Sequence, residues 1–265
     1  MNRELTWEYG VTTVPSRKDT YLPRTLLSLA RAGFDKPRLF VDGARDGYEM
    51  YENSSLLPLN VTYRYPKTDI VTNWTLALWE LYARNPVADR YALFQDDVIL
   101  VRNTRKYLDT CKWPAQGYLN LTTFKINEKT VFENRDLGWR ESPVARCAEG
   151  LDPVLRQQGG YGALALVFDR NAVWELLQAR SFVAKRAAPR DRFPDRNLDG
   201  AVVTAMNIAG YREYIHVPSL TTHIGIETSR TDVTEDGETK PSKGEHADAL
   251  TFPGEEFDAM TLVRT

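Results

Sequence analysis

The sequence is poor in the features that would place it at a glance. It has two cysteines, Cys111 and Cys147, in 265 residues. That is too few for a disulfide framework, so a reducing compartment is the expectation. No G-x-G-x-x-G follows the first predicted strand and no Walker A loop occurs anywhere, which argues against dinucleotide-binding and P-loop folds. No apolar run reaches membrane-spanning length, and Met1 to Trp7 contains no apolar signal region. The expectation is therefore a cytoplasmic chain without a membrane span. Neither charge sign dominates, since 34 Lys and Arg stand against 36 Asp and Glu. No global field draws the chain onto nucleic acid or membrane, and any polyanion site must be a local patch.

What is present suits one large domain or two small ones with a full core, at 42% apolar and 26% charged residues. The most informative stretch is Tyr91-Ala92-Leu93-Phe94-Gln95-Asp96-Asp97-Val98-Ile99-Leu100-Val101. Aromatic and branched residues lead up to two adjacent carboxylates, which reads as a buried strand with the acids at its carboxyl end. Open α/β sheets bind ligands just outside that end. Two neighbouring acids repel unless a cation or a shared proton lies between them, and a divalent ion bridging carboxylate to phosphate is the usual remedy. The plainer alternative is a solvated Asp-Asp turn.

Upstream, Tyr9–Val14 reads as a strand, Leu22–Ala30 as a helix ending at Gly33, and Pro37–Val41 as a second strand closed by Asp42-Gly43. The β-α-β opening implies parallel strands with a right-handed crossover. Asp42 either holds its turn or accepts hydrogen bonds from a ribose. Residues 60–65 form a third short strand. The clearest helix runs from Thr72 to Asn85, with Thr72 as its cap and Trp79 and Leu76 widening its buried surface. Downstream, Gly117–Phe124 and Ala163–Phe168 read as strands, the second after the loop Gly159-Gly160-Tyr161-Gly162. Asn171–Ala179 and Asp199–Ile208 read as helices, and Tyr214–Val217 as a strand before His223. Residues 227–265 lack periodicity and read as a surface tail or a flap. Six basic residues crowd 180–196, namely Arg180, Lys185, Arg186, Arg190, Arg192 and Arg196, with Phe182 and Phe193 among them. The stretch is either a solvated loop or a track for a phosphate backbone.

Taken in order, several of these pieces resemble GT-A fold glycosyltransferases, within the nucleotide-diphospho-sugar transferase superfamily. Val11-Thr12-Thr13-Val14-Pro15-Ser16-Arg17, Thr25-Leu26-Leu27-Ser28-Leu29, Ala32-Gly33-Phe34 and Phe40-Val41-Asp42-Gly43 resemble the family's opening. Gln95-Asp96-Asp97 resembles its acidic metal-binding motif, although the family pattern is Asp-x-Asp. Gly159 to Phe168 resembles the acceptor-side loop and strand, and Asn197-Leu198-Asp199 the position of the catalytic acid. Pro218 to Ser229, with His223-Ile224-Gly225, resembles the late histidine segment.

The resemblance implies an α/β fold, a Rossmann-like mixed sheet flanked by helices with a smaller acceptor-side subregion. The likeness covers roughly residues 9–230 and implies a single catalytic domain at 1–230, with a nucleotide-sugar half at 1–116 and an acceptor half at 117–230, and a tail or flap at 231–265. The implied activity is a metal-dependent glycosyltransferase using a nucleotide-diphosphate sugar, with UDP the commonest carrier in the family. Asp97 and His223 would hold Mn2+ or Mg2+, and Asp199 would be the base of an inverting transfer, with Asp195 its rival. Arg17, Asp42, Asn73, Asp96 and Ser229 would line the donor. The acceptor is a glycan, a small molecule, or the hydroxymethylated base of DNA as in viral enzymes. A non-catalytic nucleotide-sugar or glycan-binding module and a nucleotidyltransferase are the alternatives.

Overall fold

The structure is a computed structural model that describes residues 3–45, 47–53, 58–124, 137–142, 162–179, 182, 198–225, 231–233, 239–241 and 249–263. Its chain opens with β1 (Trp7–Thr13), α1 (Leu22–Arg31), β2 (Arg38–Val41), the single turn α2 (Glu49–Glu52), β3 (Val61–Tyr63) and α3 (Ile70–Arg84). Then come β4 (Arg90–Gln95), β5 (Val98–Leu100), α4 (Thr104–Thr110), β6 (Gly117–Asn120), β7 (Gly138–Glu141) and β8 (Ala165–Asp169). Helices α5 (Arg170–Gln178) and α6 (Leu198–Ile208) precede β9 (Arg212–Val217), β10 (Thr221–His223), β11 (Thr231–Val233) and β12 (Thr239–Pro241).

Eight strands form one mixed sheet in the order β3-β2-β1-β4-β8-β6-β9-β7. β1, β2, β3 and β4 run parallel, as the β-α-β opening requires. β8 enters antiparallel between β4 and β6. A core lies on each face. On one, α1 packs Leu22 and Leu29 with Phe34, Phe94 and Val11. On the other, α3, α5 and α6 bury Trp74, Leu78, Val173, Leu176, Val202 and Met206 against Leu93 and Phe168.

Long-range pairing decides where the sequence pattern is cut. The run from Tyr91 to Val101 is two strands, broken at Asp96-Asp97. β4 stays in the large sheet, while β5 leaves it to pair antiparallel with β10, placing His223 opposite Val98. Helix α3 starts at Ile70, two residues before the predicted start, because Asp69 and not Thr72 caps it. The Asp69 carboxylate accepts the Thr72 amide at 2.8 Å. Trp79 is exposed and Leu76 half-buried, so α3 buries less of its circumference than its composition implies.

Residues 249–263, expected within a tail or flap, are part of the packed body. Phe257 accepts the Arg102 amide through its carbonyl, Ala259 donates to the Arg102 carbonyl, and Phe252, Phe257 and Met260 lie on the α1 side of the core. No helix among the described residues is long and apolar enough to cross a membrane.

Candidate active site

The parallel strands β1, β2 and β4 bring their carboxyl ends to one edge, and the break after β4 presents Asp96 and Asp97 there. Backbone bonds hold the break open. The Thr25 hydroxyl donates to the Asp96 carbonyl at 2.7 Å, and the Ile224 amide donates to the Asp97 carbonyl at 2.8 Å. One bond ties the acids to α1 and the other to the segment after β10. The bland alternative of a solvated turn fails, because Asp96 is 3% exposed and Asp97 1%.

Buried adjacent carboxylates need counter-charge, and two side chains supply it. Arg17, at the end of the 3-10 turn Pro15–Arg17, donates through one terminal nitrogen to Asp96 Oδ1 at 2.9 Å and to Asp97 Oδ2. His223 Nε2 lies 2.9 Å from the same Asp97 Oδ2. Since a carboxylate only accepts, Nε2 is the donor in this arrangement. Thr13, at the end of β1, donates its hydroxyl to Asp96 Oδ2 at 2.6 Å.

The two acids respond differently. Burial pushes Asp96 above the ordinary carboxylate value and the charge of Asp97 adds to it, with Arg17 and Thr13 opposing. Burial acts on Asp97 in the same direction, but the hydrogen bond and charge of His223, followed by Arg17, outweigh it and hold its carboxyl below that value. Arg17 is itself destabilised by burial, yet the two carboxylates overcome this and raise its affinity for the proton.

Asp97 Oδ1 is buried and has no hydrogen-bond partner among the described residues. A buried carboxylate oxygen without a partner is costly, and a cation ligated by Asp97 would offset that cost. The donor set fits a hard divalent ion. Asp97 and His223 are hydrogen-bonded at 2.9 Å here, and the imidazole would ligate once Nε2 gives up its proton. Among the described residues no three His, Cys, Asp or Glu side chains gather around one point. Such an ion would complete its shell with phosphate oxygens and water, the usual habit of Mg2+. Gly225 makes the approach feasible. A Cβ there would stand 2.5 Å from Asp97 Oδ2 and 2.8 Å from His223 Nε2.

Asp199 lies in the first turn of α6, and its carboxylate accepts two backbone amides, Gly162 at 2.7 Å and Ala163 at 2.8 Å. The same Ala163 accepts the Gln95 side chain through its carbonyl at 3.2 Å. A continuous chain of bonds thus runs from Asp199 through the glycine-bearing turn to the residue before Asp96. Gly162 has φ +87°, and a Cβ would strike the Phe124 ring at 1.7 Å, so only glycine serves there.

Two residues expected to line the donor make buried contacts within the protein. Asp42 is 2% exposed, and its Oδ1 accepts both the amide and the hydroxyl of Thr68, at 2.6 and 2.8 Å. It fastens the end of β2 to the loop before α3. Asn73 is also 2% exposed and donates to the Phe40 carbonyl at 3.0 Å, pinning α3 to β2, while its Oδ1 is buried with no partner among the described residues. Ser229, Asn197, Asp195 and most of the basic stretch lie outside the described residues. Phe182 is described and buried, edge-on to Trp74 at 6.2 Å, so it cannot stack on a base. Thr13, Thr25, Gln95 and Gly225 carry site contacts that no local pattern assigns to them. The signals available were the end of β1 for Thr13 and the His-x-Gly spacing for Gly225.

No family model matches the chain, and no curated protein sequence does. Among solved structures it is similar to GalNAc-T7 crystallised with UDP, GalNAc and Mn2+, at TM-score 0.53 and 8% identity, over 84% of this chain and 45% of that one. It thus spans under half of that protein's length. It also matches a putative glucose-1-phosphate thymidylyltransferase from Bacillus anthracis, at TM-score 0.40 and 10% identity over 82% of this chain and 89% of that one. A nucleoside-diphosphate-sugar pyrophosphorylase from Vibrio cholerae matches at TM-score 0.44 and 12% identity, over 82% and 95%. The chain has a GT-A-type fold, an α/β mixed sheet with flanking helices. At such low identity a likeness defines the fold and leaves the reaction to the site.

Proposed function

We propose that this chain is a metal-dependent glycosyltransferase that moves a sugar from a nucleotide-diphosphate donor, UDP foremost, to an acceptor hydroxyl. The observation that carries the reading is the Asp97–His223 pair, 2.9 Å apart beside an unpartnered buried carboxylate oxygen at the end of β4.

Asp97 and His223 would hold the ion, Mn2+ or Mg2+, His223 through neutral Nε2 with its proton moved to Nδ1. Held there, such an ion would neutralise charge on the departing diphosphate. Asp96 fixes Arg17 at the mouth of the site, and Thr13 fixes Asp96. Asp199 remains the proposed base. Its bonds to Gly162 and Ala163 set the orientation of the carboxylate and of the turn on the acceptor side. Deprotonation of an acceptor hydroxyl there, with attack opposite the leaving group, gives inversion.

The reading is tested by offering UDP-, GDP- and TDP-sugars with Mn2+ and quantifying free nucleoside diphosphate. Wild type should release it and Asp97→Ala should not. A nucleotidyltransferase would instead make pyrophosphate from a nucleoside triphosphate and a sugar phosphate. A binding module would take up the donor without turnover. Glycans, small hydroxyl compounds and hydroxymethylated DNA are then compared as acceptors.

A further inference from the structure

We infer that Arg17 is a tethered cation competing with the divalent ion for Asp97, so that metal binding by this chain depends on the nucleotide arriving with it. The inference rests on the metal site proposed above and concerns its regulation. Asp97 Oδ2, the oxygen that pairs with His223 Nε2, also receives the Arg17 guanidinium. The same Arg17 nitrogen reaches Asp96 Oδ1 at 2.9 Å, so one positive group bridges both acids where an ion would sit. All three side chains are nearly closed to water, with 12% exposure for Arg17, 4% for Asp96 and 2% for Asp97. Screening is weak at such burial, and two cations on one carboxylate oxygen repel strongly. Occupancy by Arg17 and by a divalent ion is mutually exclusive at Oδ2.

Arg17 can leave without disturbing the sheet. Its backbone belongs to a one-turn 3-10 segment outside the sheet, donating to the Val14 carbonyl at 3.0 Å and accepting the Thr20 and Tyr21 amides at 3.3 Å, so the side chain can move while the backbone stays. Its side chain has several rotatable bonds and otherwise rests near the Tyr21 ring at 5.4 Å. Departure costs at least the two charge-assisted bonds to Asp96 and Asp97. A free metal ion gives the guanidinium nothing in return, whereas a diphosphate offers the oxygen pairs that guanidinium grips best. Metal alone therefore binds against Arg17. Metal with a nucleoside diphosphate binds while Arg17 changes partner, which is a positive coupling between the two ligands.

The test is a Mn2+ titration by calorimetry, with and without UDP and corrected for Mn2+ taken up by UDP itself, on wild type, Arg17→Gln and Arg17→Lys. Without UDP, Arg17→Gln should bind Mn2+ about tenfold more tightly than wild type, and its enhancement by UDP should shrink to a few-fold. Arg17→Lys keeps the charge but lacks the bridging fork, and should fall between them. It carries the comparison if Arg17→Gln, with two unneutralised acids, does not fold. Equal or weaker Mn2+ binding by both variants, with Asp97→Asn abolishing binding in wild type, overturns the inference and leaves the transferase reading standing. Mn2+ uptake that Asp97→Asn does not alter, or no uptake even with UDP, removes the metal site and the inference with it.

Discussion

His223 and Asp97 meet at 2.9 Å although 126 positions separate them, because β10 pairs antiparallel with β5 and sets His223 opposite Val98. Imidazole and carboxylate are held by that short ladder and by the Ile224 amide on the Asp97 carbonyl. Each consequence below can be measured separately.

Gly225→Ala places a methyl group against both partners, 2.5 Å from Asp97 Oδ2 and 2.8 Å from His223 Nε2. The pair must open or the backbone must retreat. Overpacking of this kind costs about 1–3 kcal/mol. Denaturant unfolding should show that loss, and Mn2+ affinity measured with UDP should fall at least tenfold, about 1.4 kcal/mol.

Thr13→Val keeps the shape of the β1 end and removes the hydroxyl that donates to Asp96 Oδ2 at 2.6 Å. An acceptor on a 3%-exposed carboxylate then lacks its donor. The expected loss of stability is about 1–3 kcal/mol, read by urea titration.

Asp199→Asn puts an amide where two backbone N–H groups require acceptors. One of the Gly162 and Ala163 amides must then lose its bond. Hydrogen exchange should quicken at these two amides while the β4 amides stay protected. Turnover should fall in step if Asp199 is also the base. Unchanged exchange at both amides would remove the positioning role.

Two buried groups away from the acids give stability a readable pH dependence. Burial raises Glu213 from 4.5 to about 7, against bonds from Ser142, Asn120 and Tyr118, and the Asp199 charge adds to the rise. It is protonated in the fold while the unfolded chain ionises, so its stabilisation is complete below pH 4.5 and fades as pH climbs to about 7. Burial lowers His216 from 6.5 to about 4, opposed by the Pro218 carbonyl, so its contribution is complete above pH 6.5 and is lost as pH falls toward 4. The slopes oppose each other and flatten the wild-type profile between pH 4.5 and 6.5. Glu213→Gln removes one slope. Its stability relative to wild type should rise by roughly 3 kcal/mol between pH 4.5 and 7, at about 1.4 kcal/mol per pH unit, then level off.

The fold was readable because its chief elements carry local patterns. Alternating and branched residues marked β1, β2 and β4, helical spacing marked α1, α5 and α6, and Gly33 and Gly210 closed helices with φ +95° and +82°. The acidic pair was readable as a site because adjacent carboxylates after an apolar run are expensive anywhere else. What remained hidden was set by distant partners. Nothing near Asp42 announces Thr68, nothing near Asn73 announces the Phe40 carbonyl, and nothing near Arg17 announces that it bridges Asp96 and Asp97. Residues 249–263 fill gaps irregularly with Phe252, Phe257 and Met260, and irregular packing leaves no period to detect.

The central claim is a cation shared between Asp97 and His223 at the end of β4. An anomalous difference map from crystals soaked with Mn2+ and UDP tests it most directly. One strong peak is expected about 2.0–2.2 Å from an Asp97 carboxylate oxygen and from His223 Nε2, with Arg17 swung away from Asp97. A peak elsewhere, with Arg17 and His223 still bonded to Asp97 Oδ2, would contradict it.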